Sequence, residues 1–252
     1  VVETAFLCFF AFLAGFVDSI VGGGGLIQLP ALFIFLPALP AGVLLGTNKL
    51  SSICGTAVAT VQYARLVTIS WRATLPATVA AFVFSFLGAR AATVLHTSVM
   101  RPIVLFLLAG VLVYTFVQKD FGSLHAPRLD TLKQYIFSVL TGTVIGFYDG
   151  FFGPGTGSFL IFVFIGIFGF SFLSASASAK VINFTTNLAA VIYFVATGNV
   201  LYQVALPMAA CNIAGSVIGT RLAVLKGNRF VRVFFLVVVA GMIVKLAVDT
   251  FR

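Results

Sequence analysis

The chain has 252 residues, 61% hydrophobic and only 8% charged, with 15 Lys and Arg against 6 Asp and Glu and a net charge of +9. Soluble domains are about 25% charged, so this composition excludes a substantial soluble domain and indicates an integral membrane protein. The bases sit at the ends of apolar runs, as cytoplasmic loops and headgroup contacts require, so nucleic acid is not an expected partner; the lipid bilayer is.

Segment one runs from about residue 4 to 21, ends in Gly22, Gly23, Gly24 and Gly25, and reads as a retained helix rather than a cleaved signal. Segment two, 26–39, is short and contains Pro30 and Pro37; segments three, four and five cover 43–64, 73–95 and 102–117. A polar link follows at 118–133. The pattern then restarts with segments six to ten at 134–152, 158–170 (again short), 175–197, 203–225 and 231–248. A spanning helix needs about 20 residues, so segments two and seven read as half-helices or re-entrant pieces.

The restart is an internal repeat. Asp18 and Asp149, Lys49 and Lys180, Pro76 and Pro207, Gly88 and Gly219, and Arg90 and Arg221 all stand 131 residues apart. Sliding residues 15–110 onto 146–241 without a gap gives roughly twenty identities, enough for a structural duplication. The expected organisation is a first transmembrane repeat at 1–117, the link at 118–133 and a second repeat at 134–252. Ten crossings with inverted halves put Arg65, Arg72, Lys119, Arg128, Lys133, Arg221, Lys226, Arg229 and Arg232 on one side. The positive-inside rule favours that arrangement, with both termini outside. The expected fold is therefore an all-α polytopic membrane protein with two homologous halves.

Polar residues break the apolar runs at matching places. Asp18 and Asp149 stand four residues before Gly22 and Gly153. An intramembrane carboxylate is costly, so each is a candidate either for proton coupling or for bracing the break. Gly22–Gly25 and Gly153, Gly155, Thr156 and Gly157 suit an anion nest at the N-terminus of the following helix, with Leu26 and Gly157 expected at those termini. Close helix packing is the competing role for the glycines. Lys49 and Lys180 are candidate anion ligands, with snorkelling to the interface as the alternative. Asn183 and Asn187 share a helix face with Lys180, and Asn48 adjoins Lys49, so all three are candidate substrate contacts; interhelical hydrogen bonding is their alternative role. Arg90 and Arg221 read as interface anchors.

Cys8, Cys54 and Cys211 are separated and lie in apolar runs, which argues for packing and against a disulfide framework or metal site. His96 and His125 are not at ligand spacing, and no nucleophile–base pattern is present. No enzyme, metal or cofactor is expected.

Gly-Phe-Val-Asp at 15–18 with Gly-Gly-Gly-Gly-Leu-Ile at 22–27, Gly-Thr-Asn-Lys-Leu at 46–50, and Tyr-Asp-Gly-Phe-Phe-Gly-Pro-Gly-Thr-Gly at 148–157 resemble motifs of the TauE/SafE family. These are the sulfite-exporter-like or toluene sulfonate uptake permeases, and the last motif is most similar to the YfcA-type branch. The resemblance covers essentially the whole chain. It implies about eight helices and a bacterial inner-membrane secondary transporter for sulfite, thiosulfate, sulfoacetate, sulfonates or related small anions. Export coupled to the proton gradient is the implied mode. A passive anion channel is the alternative, and homo-oligomerisation is left open. Lys180→Ala is expected to weaken anion binding more than Lys226→Ala, a loop control.

Overall fold

In hydrocarbon every backbone N–H and C=O must find a partner within the protein, which leaves a chain of this composition helices or a closed barrel. The computed structural model describes residues 2–94 and 129–250, and among these every regular element is a helix. The helices are α1 (Val2–Val21), α2 (Gly25–Phe35), α3 (Ala41–Leu66), α4 (Trp71–Val94), α5 (Thr131–Phe151), α6 (Thr156–Gly166), α7 (Phe172–Ala196) and α8 (Tyr202–Thr250). Segment five and residues 118–128 of the link lie outside the described residues, and 131–133 of the expected link belong to α5. Expected segments nine and ten lie in α8 on either side of a kink at Gly227, whose φ of 71° and ψ of −167° are not helical.

Among the described residues, four stretches are long and apolar enough to cross a bilayer: Glu3–Val21, Trp71–Val94, Phe172–Ala196 and Tyr202–Gly227. Helices α3 and α5 have comparable lengths, 26 and 21 residues, but bury polar positions such as Asn48, Lys49, Ser138 and Asp149. The outer faces are apolar and exposed, as at Val79, Val144 and Leu206, while the mid-helix charges Lys49, Asp149 and Lys180 are buried. That inversion of the soluble pattern is what lipid requires.

Helix boundaries recur at the offset of the expected repeat. Helix α2 and α6 are each 11 residues long and start and end 131 positions apart (25 and 156, 35 and 166). Helices α3 and α7 start at 41 and 172, and α4 and α8 at 71 and 202, again 131 apart. At 1.5 Å per residue, α2 and α6 are each about 16 Å long, half of a bilayer core of about 30 Å. They begin at Gly25 and Thr156, one residue before the expected Leu26 and Gly157.

Packing between the halves is reciprocal. Helix α4 lies against α5 and α8 against α1; α3 packs on α8 as α4 packs on α7. Small residues let these backbones approach closely. A Cβ on Gly15 would strike the backbone of Asn212, and one on Gly146 that of Ala81; both glycines and both contacts are related by the offset of 131. At the C-terminal end of α6 the core closes with Phe164, Phe168 and Phe170, where Phe164 and Phe170 stack at 5.5 Å.

Candidate functional site

Both chain breaks are held by internal hydrogen bonds. Helix α1 ends where Gly22, at φ 80°, donates its N–H to the Asp18 carbonyl at 2.8 Å. Only glycine takes that conformation without strain. Gly24 N–H donates to the Asp18 carboxylate at 3.4 Å. Helix α5 ends at Gly153, φ 94°, whose N–H reaches the Tyr148 carbonyl; the Tyr148 hydroxyl donates to the Pro154 carbonyl at 2.6 Å. Gly155 adopts φ 83° as the cap of α6, and the Thr156 hydroxyl donates to the Gly153 carbonyl at 2.7 Å. The two breaks meet at the centre, where a Cβ on Gly22 would run into the backbone of Gly157. Ser158 ties them by donating to the Val21 carbonyl at 2.8 Å.

Each break is bound to a lysine of the opposite half. Lys49 on α3 contacts Asp149 on α5 at 2.8 Å, with side chains 3% and 2% exposed. Lys180 on α7 contacts Asp18 on α1 at 2.7 Å, with side chains 1% and 17% exposed, and also donates to the Asp18 backbone carbonyl. The snorkelling alternative is thereby corrected. Both ammonium groups are deep in the protein, because a buried carboxylate of the other repeat compensates each of them.

The pairs are not equivalent. Lys180 is fixed by two acceptors on one residue. The Asp149 Oδ2 beside Lys49, by contrast, receives no well-aligned hydrogen bond among the described residues. A Cβ on Gly153 would stand 2.7 Å from the Lys49 amine, so the glycine makes room for this pair.

A polar cavity lies between the breaks, lined by Asp18, Gly22, Gly25, Asn48, Lys49 and Ser52 of the first half and Asp149, Gly153, Gly157, Asn183 and Asn187 of the second, with Thr56 at its edge. The space open to the centre of a water molecule is about 20 Å³, enough for one or two waters. Asn48 Oδ1 is buried and has no hydrogen-bond donor among the described residues, and Asn187 donates to Asn183 at a long 3.5 Å. Buried amides left unsatisfied in this way mark a place where a polar ligand or water completes the network.

Of the residues singled out in the sequence, Gly23, Gly24, Gly155, Thr156 and Lys180 do not line the cavity. The N–H groups of Gly22, Gly24, Gly153 and Thr156 are taken by protein acceptors, and the Lys49 side chain lines the cavity beside Gly25 and Gly157. Arg90 and Arg221 are exposed.

Sequence reading missed Gln28 and Asn212. Asn212 on α8 donates to the Gln28 side chain at 3.0 Å and to the Ala11 carbonyl at 3.2 Å, and Gln28 reaches the Asn48 carbonyl at 3.4 Å. Their signal was a single amide within each of two apolar runs, 25–35 and 204–220, too weak to single out without knowing that the two side chains meet. Tyr63 was also missed; its buried hydroxyl donates to the Ser19 carbonyl at 3.0 Å and supports the end of α1.

The family model described as "Sulfite exporter TauE/SafE" matches residues 7–246. A probable membrane transporter protein of Sinorhizobium is 36% identical over 245 residues, covering 97% of this chain and 92% of the relative. One from Haemophilus influenzae is 33% identical over 238 residues (94% and 92%), and the probable membrane transporter protein YfcA of Escherichia coli K12 is 34% identical over 244 residues (97% and 89%). No solved structure matches the chain. With a match over nearly its whole length and paired polar groups buried among apolar helices, the chain belongs to the TauE/SafE family of multi-pass membrane transport proteins.

Proposed function

We propose that the protein is a secondary transporter for a small sulfur-containing or organic oxyanion, of the sulfite, thiosulfate, sulfoacetate or sulfonate type, in a bacterial inner membrane. The observation that carries this reading is the buried Lys49 ammonium at a cavity with an unsatisfied Asn48 amide, between two broken helices. Broken helices whose breaks lie together near the centre of a repeat protein are the usual setting of a transporter's solute site. The two repeats, 1–117 and 134–252, rock about the site as inverted halves, a reading supported by the basic residues concentrated on one side. Export is the direction the family's description names.

Asp18, Asp149, Lys49, Asn48, Asn183 and Asn187 surround the solute in this scheme, and Gly22, Gly25, Gly153 and Gly157 let it approach the backbone. Lys180, with Gly23, Gly24, Gly155 and Thr156, holds the breaks in shape. A cavity of one or two waters is smaller than a four-atom oxyanion, so loading requires the halves to part; that requirement favours a carrier over a channel.

The test is flux of radiolabelled sulfite and thiosulfate in proteoliposomes, with and without an imposed proton gradient. Uphill movement that collapses with the gradient is expected. Flux that only runs downhill at a rate unaffected by the gradient would establish the passive channel instead, and absence of flux for both anions and a sulfonate would overturn the reading.

A further inference from the structure

We infer that Lys49 and Asp149 are an exchange pair through which one proton and one anion bind together, so that transport is proton–anion symport. The inference rests on the anion-binding reading above and adds the sign of the coupling.

The cluster at the breaks holds two cations, Lys49 and Lys180, and two carboxylates, Asp18 and Asp149, and its net charge is zero. Other titratable groups nearby are phenols. Tyr63 beside Asp18 donates to the Ser19 carbonyl, and Tyr148 beside Asp149 donates to the Pro154 carbonyl. The arginines of α4, Arg72 and Arg90, are exposed and do not join the cluster.

An anion that enters this cluster unaccompanied leaves three negative groups against two positive ones in a site shielded from water. Burial of an unbalanced charge is strongly unfavourable. Balance is restored when a proton from solution adds to an Asp149 carboxylate oxygen. Lys49 keeps its ammonium form and exchanges the carboxylate for the incoming anion, and the charge of the cluster returns to zero. The geometry selects Lys49 for this exchange. Its amine faces the cavity and its contact with Asp149 is poorly aligned, whereas Lys180 is held away from the cavity by both the carboxylate and the backbone carbonyl of Asp18.

Proton and anion therefore favour one another's binding, and by linkage each strengthens the other by the same factor. The two move in the same direction. An inward proton gradient then drives uptake, and export occurs when the outward anion gradient is steep enough to carry the proton with it. A proton-driven exporter needs the opposite sign, with proton and anion competing for the site.

The experiment is isothermal titration of the purified full chain with methanesulfonate, which stays ionised throughout, in buffers of differing ionisation heat from pH 6 to 8. Uptake of one proton per anion is expected where Asp149 is ionised, with affinity falling up to tenfold for each pH unit of increase there. In Asp149→Asn, proton uptake and the pH dependence should both vanish. Zero uptake or proton release in the wild-type protein overturns the coupling while leaving the anion site standing, and wild-type calorimetry decides this even if the variant misfolds. Proton uptake that persists in folded Asp149→Asn overturns the assignment to this pair. No binding of methanesulfonate, sulfite or thiosulfate sinks the anion reading itself, and the coupling with it.

Discussion

Replacement of Lys180 by methionine separates a bracing role from a binding role. The ammonium supplies the donors to Asp18 Oδ2 and to the Asp18 carbonyl; without it the carboxylate retains only the Gly24 N–H at 3.4 Å. Breaking a buried pair from one side costs about 3–5 kcal/mol, because the remaining charge is stranded. The Asp18 side chain is 17% exposed and reaches the cavity, which places the loss at the lower end, about 3 kcal/mol. For a chain of this size each kcal/mol moves the melting temperature by about 2–4 °C, so Lys180→Met should melt about 6–12 °C lower. Adding Asp18→Asn removes the stranded charge and should recover most of that fall. A thermal double-mutant cycle in detergent, with methanesulfonate affinity measured on all four proteins, makes the test. Effects that simply add, within about 0.5 kcal/mol, would refute the pairing. A Lys180→Met protein with wild-type stability and weakened anion binding would return Lys180 to the solute site.

Other outcomes follow from local geometry. Gly22→Ala combines a positive φ with collision against Gly157 and should cost several kcal/mol, the sum of about 1–3 for strain and about 1–3 for overpacking; Gly198→Ala, at φ 70° with open space around it, should cost the strain alone. The yield of monodisperse protein and its melting temperature rank the two. Asn212→Leu should destabilise by about 1–3 kcal/mol by leaving the buried Gln28 carbonyl without its donor, and Gln28→Leu on that background should restore much of the loss. At the start of α5, the Lys133 N–H donated to Asp130 at 2.9 Å holds this exposed carboxyl below its ordinary value. A depressed folded value means the cap stabilises at neutral pH and its contribution is lost as pH falls through that value. Asp130→Ala should therefore lower the melting temperature slightly at neutral pH and make no difference near about pH 2.

The sequence by itself determined the solvent of this protein, its duplication and the location of its breaks. Hydropathy decides what lipid will accept, and Gly22 and Gly153, 131 residues apart, both take a backbone conformation that other residues resist. The half-helices were legible from their shortness and flanking glycines, to within one residue at their starts. Who pairs with whom was not legible. Lys49 and Lys180 look alike in sequence, each a lysine among small polar residues at one offset, and snorkelling was a sound alternative for both. Only the tertiary fold brings each lysine to the carboxylate of the other half, 100 residues distant for Lys49 and 162 for Lys180. The asymmetry between the pairs is likewise tertiary. It lies in the second acceptor that Asp18 offers Lys180 and in the cavity that Lys49 lines, and both depend on how the two breaks pack at Gly22 and Gly157 rather than on any residue's neighbours along the chain.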